Sequence, residues 1–417
     1  MQLTQTETAI LSGDVGRPGD RMAMTVVVEA ARMLGADRLV PVTSAHIDGC
    51  LYHGTSGTLF CERLVDLGAQ VNIPTTTNVG ALNLLDPAQS QLQGEARKMA
   101  YRLMVAHERM GCRPSWTCAP YQAGARPDLG AQVAWGESNA VAFCNSVLGA
   151  RTNRYGDFLD IACAITGRAP HYGLHLVENR KAQIVCDIST VPVLWQAHEV
   201  FFPVLGALLG RLAGASVCAV TGILGAPDED ALKAMCAGAA STGAVGLIHV
   251  VGVTPEAPTL DAALGNEPAH QTVLISAQMI QEAYATLTQS GSDQLDAVAL
   301  GSPHFSATEC RQVLELAGGT AFDVPVYICL GRHTLQDLKL DGSDEALKDL
   351  GAVLVVDTCV VVTPILPETG GVLMTNSAKF AHYATPNTGY TPVFACLADC
   401  VASAQAGRVK LSSGRFL

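Results

Sequence analysis

Seven short clusters in the chain bring groups capable of chemistry within a few residues of one another. The densest is Thr43-Ser44-Ala45-His46-Ile47-Asp48-Gly49-Cys50. Ser44 and His46 are candidate proton carriers there, and an imidazole titrates near neutral pH with little tuning. Pro74-Thr75-Thr76-Thr77-Asn78 offers hydroxyls that suit either a substrate carboxylate or turn capping. A third stretch runs from Glu137-Ser138-Asn139 through Asn145-Ser146 to Arg151-Thr152-Asn153-Arg154. Two guanidiniums beside Asn and Thr suit bidentate carboxylate recognition, with surface arginines in a solvated loop as the plain alternative. Glu137 is a further acid/base candidate. The remaining clusters are Gly301-Ser302-Pro303-His304, Asp357-Thr358-Cys359, Thr375-Asn376-Ser377-Ala378-Lys379, and Cys396 with Cys400. Any single Cys is more often a buried small hydrophobe than a ligand. Three converging thiolates would hold an iron–sulfur cluster with one iron left open.

A recurring grammar positions these clusters. Met22 to Leu34, Thr58 to Leu67 and Glu345 to Leu350 each read as a helix, followed by Gly-Ala, a short apolar run and a small polar group. The apolar runs are Arg38–Val42, Gln70–Ile73 and Val353–Val356. Further strands are expected at Tyr172–Val177, Val245–Val251, Leu295–Leu300, Val324–Leu330 and Val372–Thr375. A long helix is expected from Asp86-Pro87 to Gly111. Helix and strand in alternation imply mostly parallel, doubly wound sheets, whose ligands bind beyond the strands' carboxyl ends.

Composition narrows the classes. The 417 residues are 49% hydrophobic and only 15% charged, with a net charge of −12. That excludes general disorder, and an acidic chain with no Lys/Arg run argues against nucleic acid. Val200 to Ala226 is the most apolar stretch, but Pro203, Arg211 and several Gly break it, so no membrane span is expected. The amino terminus has no signal-peptide pattern, and a cytoplasmic setting is expected. Fourteen cysteines in a reducing compartment are then not a disulfide framework. No dinucleotide fingerprint, P-loop, zincin motif, nucleophile elbow or Cys-x-x-Cys is present. Gly54-Thr55-Ser56-Gly57 at a helix start is the one phosphate-cradle candidate.

Taken together, LVPVTSAHIDG (39–49), VNIPTTTN (71–78), ESNAVAFCNSVLGARTNRYGD (137–157), GSPHFS (301–306), VVDTCVVVTPI (355–365), VLMTNSAKFAHY (372–383) and LADCV (397–401) resemble the aconitase X family. The resemblance spans nearly the whole chain. It implies an aconitase-like large part, three α/β domains with mostly parallel sheets around a central cleft. We expect boundaries near 1–205, 206–345 and 346–417. It also implies a hydro-lyase with an iron–sulfur cluster, and a separate small swivelling-domain subunit. The family has a mevalonate 5-phosphate branch and a cis-3-hydroxy-L-proline branch. The archaeal-type pattern has Cys after the Gly of Gly-x-Pro-His; here Ser302 stands there, and Cys50 appears in the first loop. That favours the hydroxyproline branch, with Cys50, Cys359 and Cys400 as cluster ligands and Cys396 as the weaker candidate. The resemblance further implies a carboxylate held by Thr75, Thr76, Asn78, Arg151 and Arg154. Ser138, Asn139, Thr152, Ser302, His304 and Ser377 complete the substrate contacts, and Ser44, His46, Glu137 or Lys379 moves the proton. A zinc hydrolase built on His46, Asp48 and Cys50, and a non-catalytic scaffold subunit, are the rival readings.

Overall fold

The computed structural model describes residues 1–368 and 370–412. The chain forms two compact units, one of residues 1–82 and 92–181, the other of 83–91 and 182–417.

In the first unit, the helices Pro18–Met33, Thr55–Asp66, Gly94–Arg109 and Leu159–Thr166 surround a small parallel sheet. Its strands are Thr75–Thr77, Ala45–Ile47 and Ala134–Trp135, in that order across the sheet. The apolar stripe of Pro18–Met33, with Ala23, Met24, Val27, Val28 and Ala31 buried, packs against Ile47, Leu64 and Ile161. This is the i, i+4 pattern that suggested a helix. Leu39–Pro41 instead pairs antiparallel with Arg168–Pro170.

Two strand expectations fail here. Gln70–Ile73 lies outside any strand, which starts at Thr75. Tyr172–Val177 becomes short 3-10 turns at Gly173–His175 and Val177–Arg180. The expected helix from Pro87 is likewise split into a turn, Pro87–Gln89, and the helix Gly94–Arg109. Gly94 at φ +57 marks the break.

The second unit contains two fully parallel sheets. One has the order Ile248–Val250, Cys218–Thr221, Ile184–Asp187, Gln271–Leu274. The other has the order Ala352–Val356, Val326–Leu330, Ala297–Phe305, Gly371–Thr375, Tyr390–Phe394. Alternate residues of the five-stranded sheet feed two separate cores. Val298, Leu300, Ile328 and Val356 face the helices carrying Cys310, Leu338, Leu347 and Cys400. Ala297, Ala299, Cys329 and Val355 face Cys359, Val360, Phe380 and Ala384. The expected boundaries must move, because 345/346 cuts this sheet and 205/206 parts Ile184–Asp187 from its neighbour Cys218–Thr221. Among the described residues no helix is long and apolar enough to cross a membrane.

Candidate active site

In the first unit, register decides which side chains meet. His46 pairs with Thr76 on one side and Trp135 on the other. Because side chains alternate across a strand, His46, Thr76 and Trp135 share a face. Two residues on, at the carboxyl ends, Asp48, Asn78 and Glu137 continue that face. The contacts agree: His46 Nδ1 lies 2.9 Å from Thr76 Oγ1, and Asn78 Nδ2 donates to Asp48 Oδ1 at 2.6 Å. The His46 and Trp135 rings are 5.6 Å apart. Thr76 Oγ1 also donates toward Ala45 O, so it accepts from Nδ1–H, which leaves Nε2 of His46 as a lone-pair acceptor.

The electrostatics are unusual. Burial holds His46 neutral, pushing its pKa down to about 3. Burial, then the charges of Glu137 and Asp160, push Asp48 up to about 7. Asp160 accepts from the backbone N–H of Asp48, Gly49 and Ile161; burial outweighs those bonds and its pKa rises to about 6. Several buried polar atoms have no partner: His46 Nε2, Asn78 Oδ1, Asn139 Oδ1 and Trp135 Nε1.

Several of the residues expected in this unit's site are committed elsewhere. His46 is too weakly basic for a neutral-pH base, because burial disfavours the charged imidazolium. Thr75 points to the opposite face and donates to Ile73 O at 2.9 Å. Thr152 is fully buried and spends its hydroxyl on Trp135, accepting from its N–H and donating to its C=O. Glu137 caps the helix Ser138–Phe143, accepting from Ala140 N at 2.6 Å and Ser138 Oγ at 3.3 Å. Ser44 lies between the strands Leu39–Pro41 and Ala45–Ile47, and its carbonyl accepts from Ala134 N. Arg151 bridges to Gln132, three residues before Trp135, so it stands at the amino end of the sheet. Arg154 is exposed. Asn139 Nδ2 donates to Cys118 O. Cys50 donates toward the carbonyls of Ile47, Asn78 and Val79, and burial keeps it a thiol.

In the second unit a different group assembles at strand carboxyl ends. Cys359 follows Ala352–Val356 and Cys329 lies near the end of Val326–Leu330. The Cys359 thiol is drawn down, chiefly by its hydrogen bond with Cys329. Val361 N–H, the Lys379 charge and the Ser302 hydroxyl act in the same direction, against burial. Such a setting favours thiolate. Ser377 donates to Ser302 O and accepts from Phe380 N, capping Ala378–Thr388. His304 Nε2 donates to Thr358 O at 3.1 Å. The turn before Ser302 needs glycine: Gly301 has φ +90, and a Cβ there would sit 2.1 Å from Cys329 O.

Cys400 is the main correction. It lies in the core on the far side of the five-stranded sheet from Cys359. One cluster cannot bridge a hydrogen-bonded sheet, so the pair is not a shared ligand set. Among the described residues no group of three or more His, Cys, Asp or Glu is arranged to hold a metal. Cys329 and Arg332 went unremarked in the sequence. Arg332 grips Asp357 at 2.6 and 2.8 Å, and Gly331-Arg332-His333 directly after a strand was the available signal. A cavity of about 200 Å³ is lined by Ser302, Lys233, Glu309, Asn376 and Ser377 but not by Cys359.

Three family models match the chain: Aconitase X first domain over residues 1–178, second domain over 182–285 and third domain over 295–406. Cis-3-hydroxy-L-proline dehydratase of Pseudomonas aeruginosa is 40% identical over 412 residues, 98% of this chain and 70% of that protein. The dehydratase of the same name from Hypocrea jecorina is 39% identical, covering 97% and 68%. The phosphomevalonate dehydratase large subunit of Methanosarcina mazei is 32% identical, covering 98% of each chain. The holo-form crystal structure of Thermococcus kodakaraensis aconitase X superposes with a TM-score of 0.85 at 30% identity, over 97% of this chain and 100% of that one.

Proposed function

This chain belongs to the aconitase X family, and from that premise we propose that it is the large part of a dehydratase acting on cis-3-hydroxy-L-proline. The reaction removes a proton from the carbon bearing the carboxylate and hydroxide from its neighbour. The resulting unsaturated ring rearranges to Δ1-pyrroline-2-carboxylate. The observation that carries the substrate is the identity gap: 40% and 39% to the hydroxyproline enzymes against 32% to the phosphomevalonate large subunit from Methanosarcina mazei. The full-length match to that large subunit supports a separate small subunit as partner. Fourteen cysteines in a chain of 417 residues fit a reducing, cytoplasmic setting.

The family implies an iron–sulfur cluster, and Cys359 is the thiol whose surroundings fit a ligand. When bound, such a cluster supplies a Lewis acid for the departing hydroxyl. The chain's own residues do the rest. Ser302 and Cys329 orient Cys359, and Ser377 fixes the Ser302 backbone. We assign proton movement to Lys379, which is half-buried and whose charge bears on both Cys359 and His304.

The test is anaerobic co-expression with the small subunit, followed by assays on both substrates. Turnover of cis-3-hydroxy-L-proline and none of mevalonate 5-phosphate is expected. The reverse preference overturns the assignment, and no turnover of either supports a scaffold.

A further inference from the structure

We propose that Arg332 and Asp357 are positioning residues for Cys359: their two-point ion pair fixes the turn that aims the Cys359 sulfur at Ser302 and Cys329. The inference rests on the reading of Cys359 as a cluster ligand, and all of these residues lie in the second unit.

Place in the fold is the first argument. Leu330 pairs with Val356 across neighbouring parallel strands. Arg332 stands two residues beyond the first, and Asp357 directly after the second. Asp357 has φ +65, a left-handed conformation that Asp and Asn tolerate best after glycine. The turn that follows is closed on itself. Cys359 O accepts from Val362 N at 3.1 Å and Thr363 N at 3.0 Å, and Thr358 Oγ1 lies 2.6 Å from Thr363 Oγ1. Such a turn moves as one piece. Its direction is therefore set where it joins the strand, at Asp357, and where His304 holds Thr358 O.

Choice of side chain is the second argument. Glycine or asparagine would hold the same φ without burying a charge. Asp357 is instead 0% exposed, which is costly unless the carboxylate is paired. Arg332 meets it through Nε at 2.6 Å and Nη2 at 2.8 Å, one nitrogen to each oxygen, and Leu84 N–H adds a third bond at 3.2 Å. Two bonds from a planar fork fix direction as well as distance. What the carboxylate adds over the neutral residues is a fixed orientation, two positions from the thiol.

The experiment reads two thiols in one molecule. The full-length chain, freed of metal with a chelator, is treated with N-ethylmaleimide, and labelling of Cys359 and Cys400 is followed by mass spectrometry. Cys400 packs on the opposite face of the same sheet and so reports general loosening. Arg332→Gln should raise the rate at Cys359 about tenfold and leave Cys400 within about twofold. Arg332→Lys keeps the charge but not the fork; it should raise the ratio of the two rates about threefold, and serves if Arg332→Gln does not fold. A ratio unchanged from wild type, whether both thiols label faster or neither does, overturns the inference. The second readout is the iron content of the anaerobic holoenzyme co-purified with the small subunit, of which Arg332→Gln should lose about half or more. Full iron in that variant overturns the inference where Cys359→Ser has lost its iron. Should Cys359→Ser keep its iron, the ligand reading falls, and the labelling ratio still decides whether the pair aims the thiol.

Discussion

Two thiols that look alike in the sequence have opposite settings. Cys359 receives hydrogen bonds and feels a lysine, whereas Cys400 is buried among Leu397, Val401 and Ala404. Cys359→Ser is expected to lose the iron of anaerobically purified protein and its dehydratase activity together. Cys400→Ala should keep both and lose about 1 kcal/mol of stability, the cost of a small core deletion. Iron counting and denaturant titration read the two effects. Glu137 gives a parallel contrast. Glu137→Gln still offers an oxygen to Ala140 N, so kcat should fall by less than tenfold. Glu137→Ala should cost about 1 kcal/mol through the lost cap. A thousandfold loss of kcat in Glu137→Gln would return it to acid/base duty.

At the scale of elements, backbone proximity governs the second-unit cluster. Gly301→Ala puts a methyl against Cys329 O at a positive φ, so the strand Ala297–Phe305 has to shift. Its Cys359–Ser302 contact should open, and activity should fall by more than the thermal stability suggests. The helix Glu229–Thr242 is tied to the same strand by Lys233, which is 2% exposed. Lys233 pairs with Glu309 at 2.5 Å and Asp230 at 2.7 Å, and donates to His304 O at 3.3 Å. Lys233→Met leaves two carboxylates facing a buried site and should destabilise by about 3–5 kcal/mol. Adding Glu309→Gln should recover part of that in the melting temperature. These ties were illegible in the sequence: Lys233 and Glu309 are 76 residues apart, and only packing brings them together.

Over the whole chain, buried ionisable groups set the pH response. Burial depresses His46, His175 and His304 to about 3 and His107 to about 4. The unfolded chain protonates these imidazoles below about 6.5 while the folded chain does not, so each costs stability as pH falls toward its folded value. Asp48 and Asp160 act oppositely, because their raised values let the folded state take protons first. Their contribution is present in acid and lost as pH rises through about 7 and about 6. Four imidazoles outnumber two carboxylates, so the melting temperature should fall between pH 6.5 and pH 4. A flat or rising melting temperature across that window would mean the histidines are not held neutral.

The sequence by itself determined the class and much of the element list. Pro18–Met33, Thr55–Asp66, Val326–Leu330 and Ala352–Val356 all follow from local periodicity, caps and apolar runs, which act over a few residues. It also marked Cys359 and Ser377 through their places after strands, and Ser302 through its place after the expected run Leu295–Leu300, although the strand Ala297–Phe305 runs through it. Which side of a sheet a residue faces was decided only by the tertiary structure. Register separated Thr75 from Thr76, because a period of two turns a one-residue difference into opposite environments, and packing of the helix Leu397–Ala406 on the other face of the sheet separated Cys400 from Cys359. Whether a hydroxyl or amide is left for a ligand was equally out of reach, since Thr152 and Asn78 are committed by partners distant in the chain.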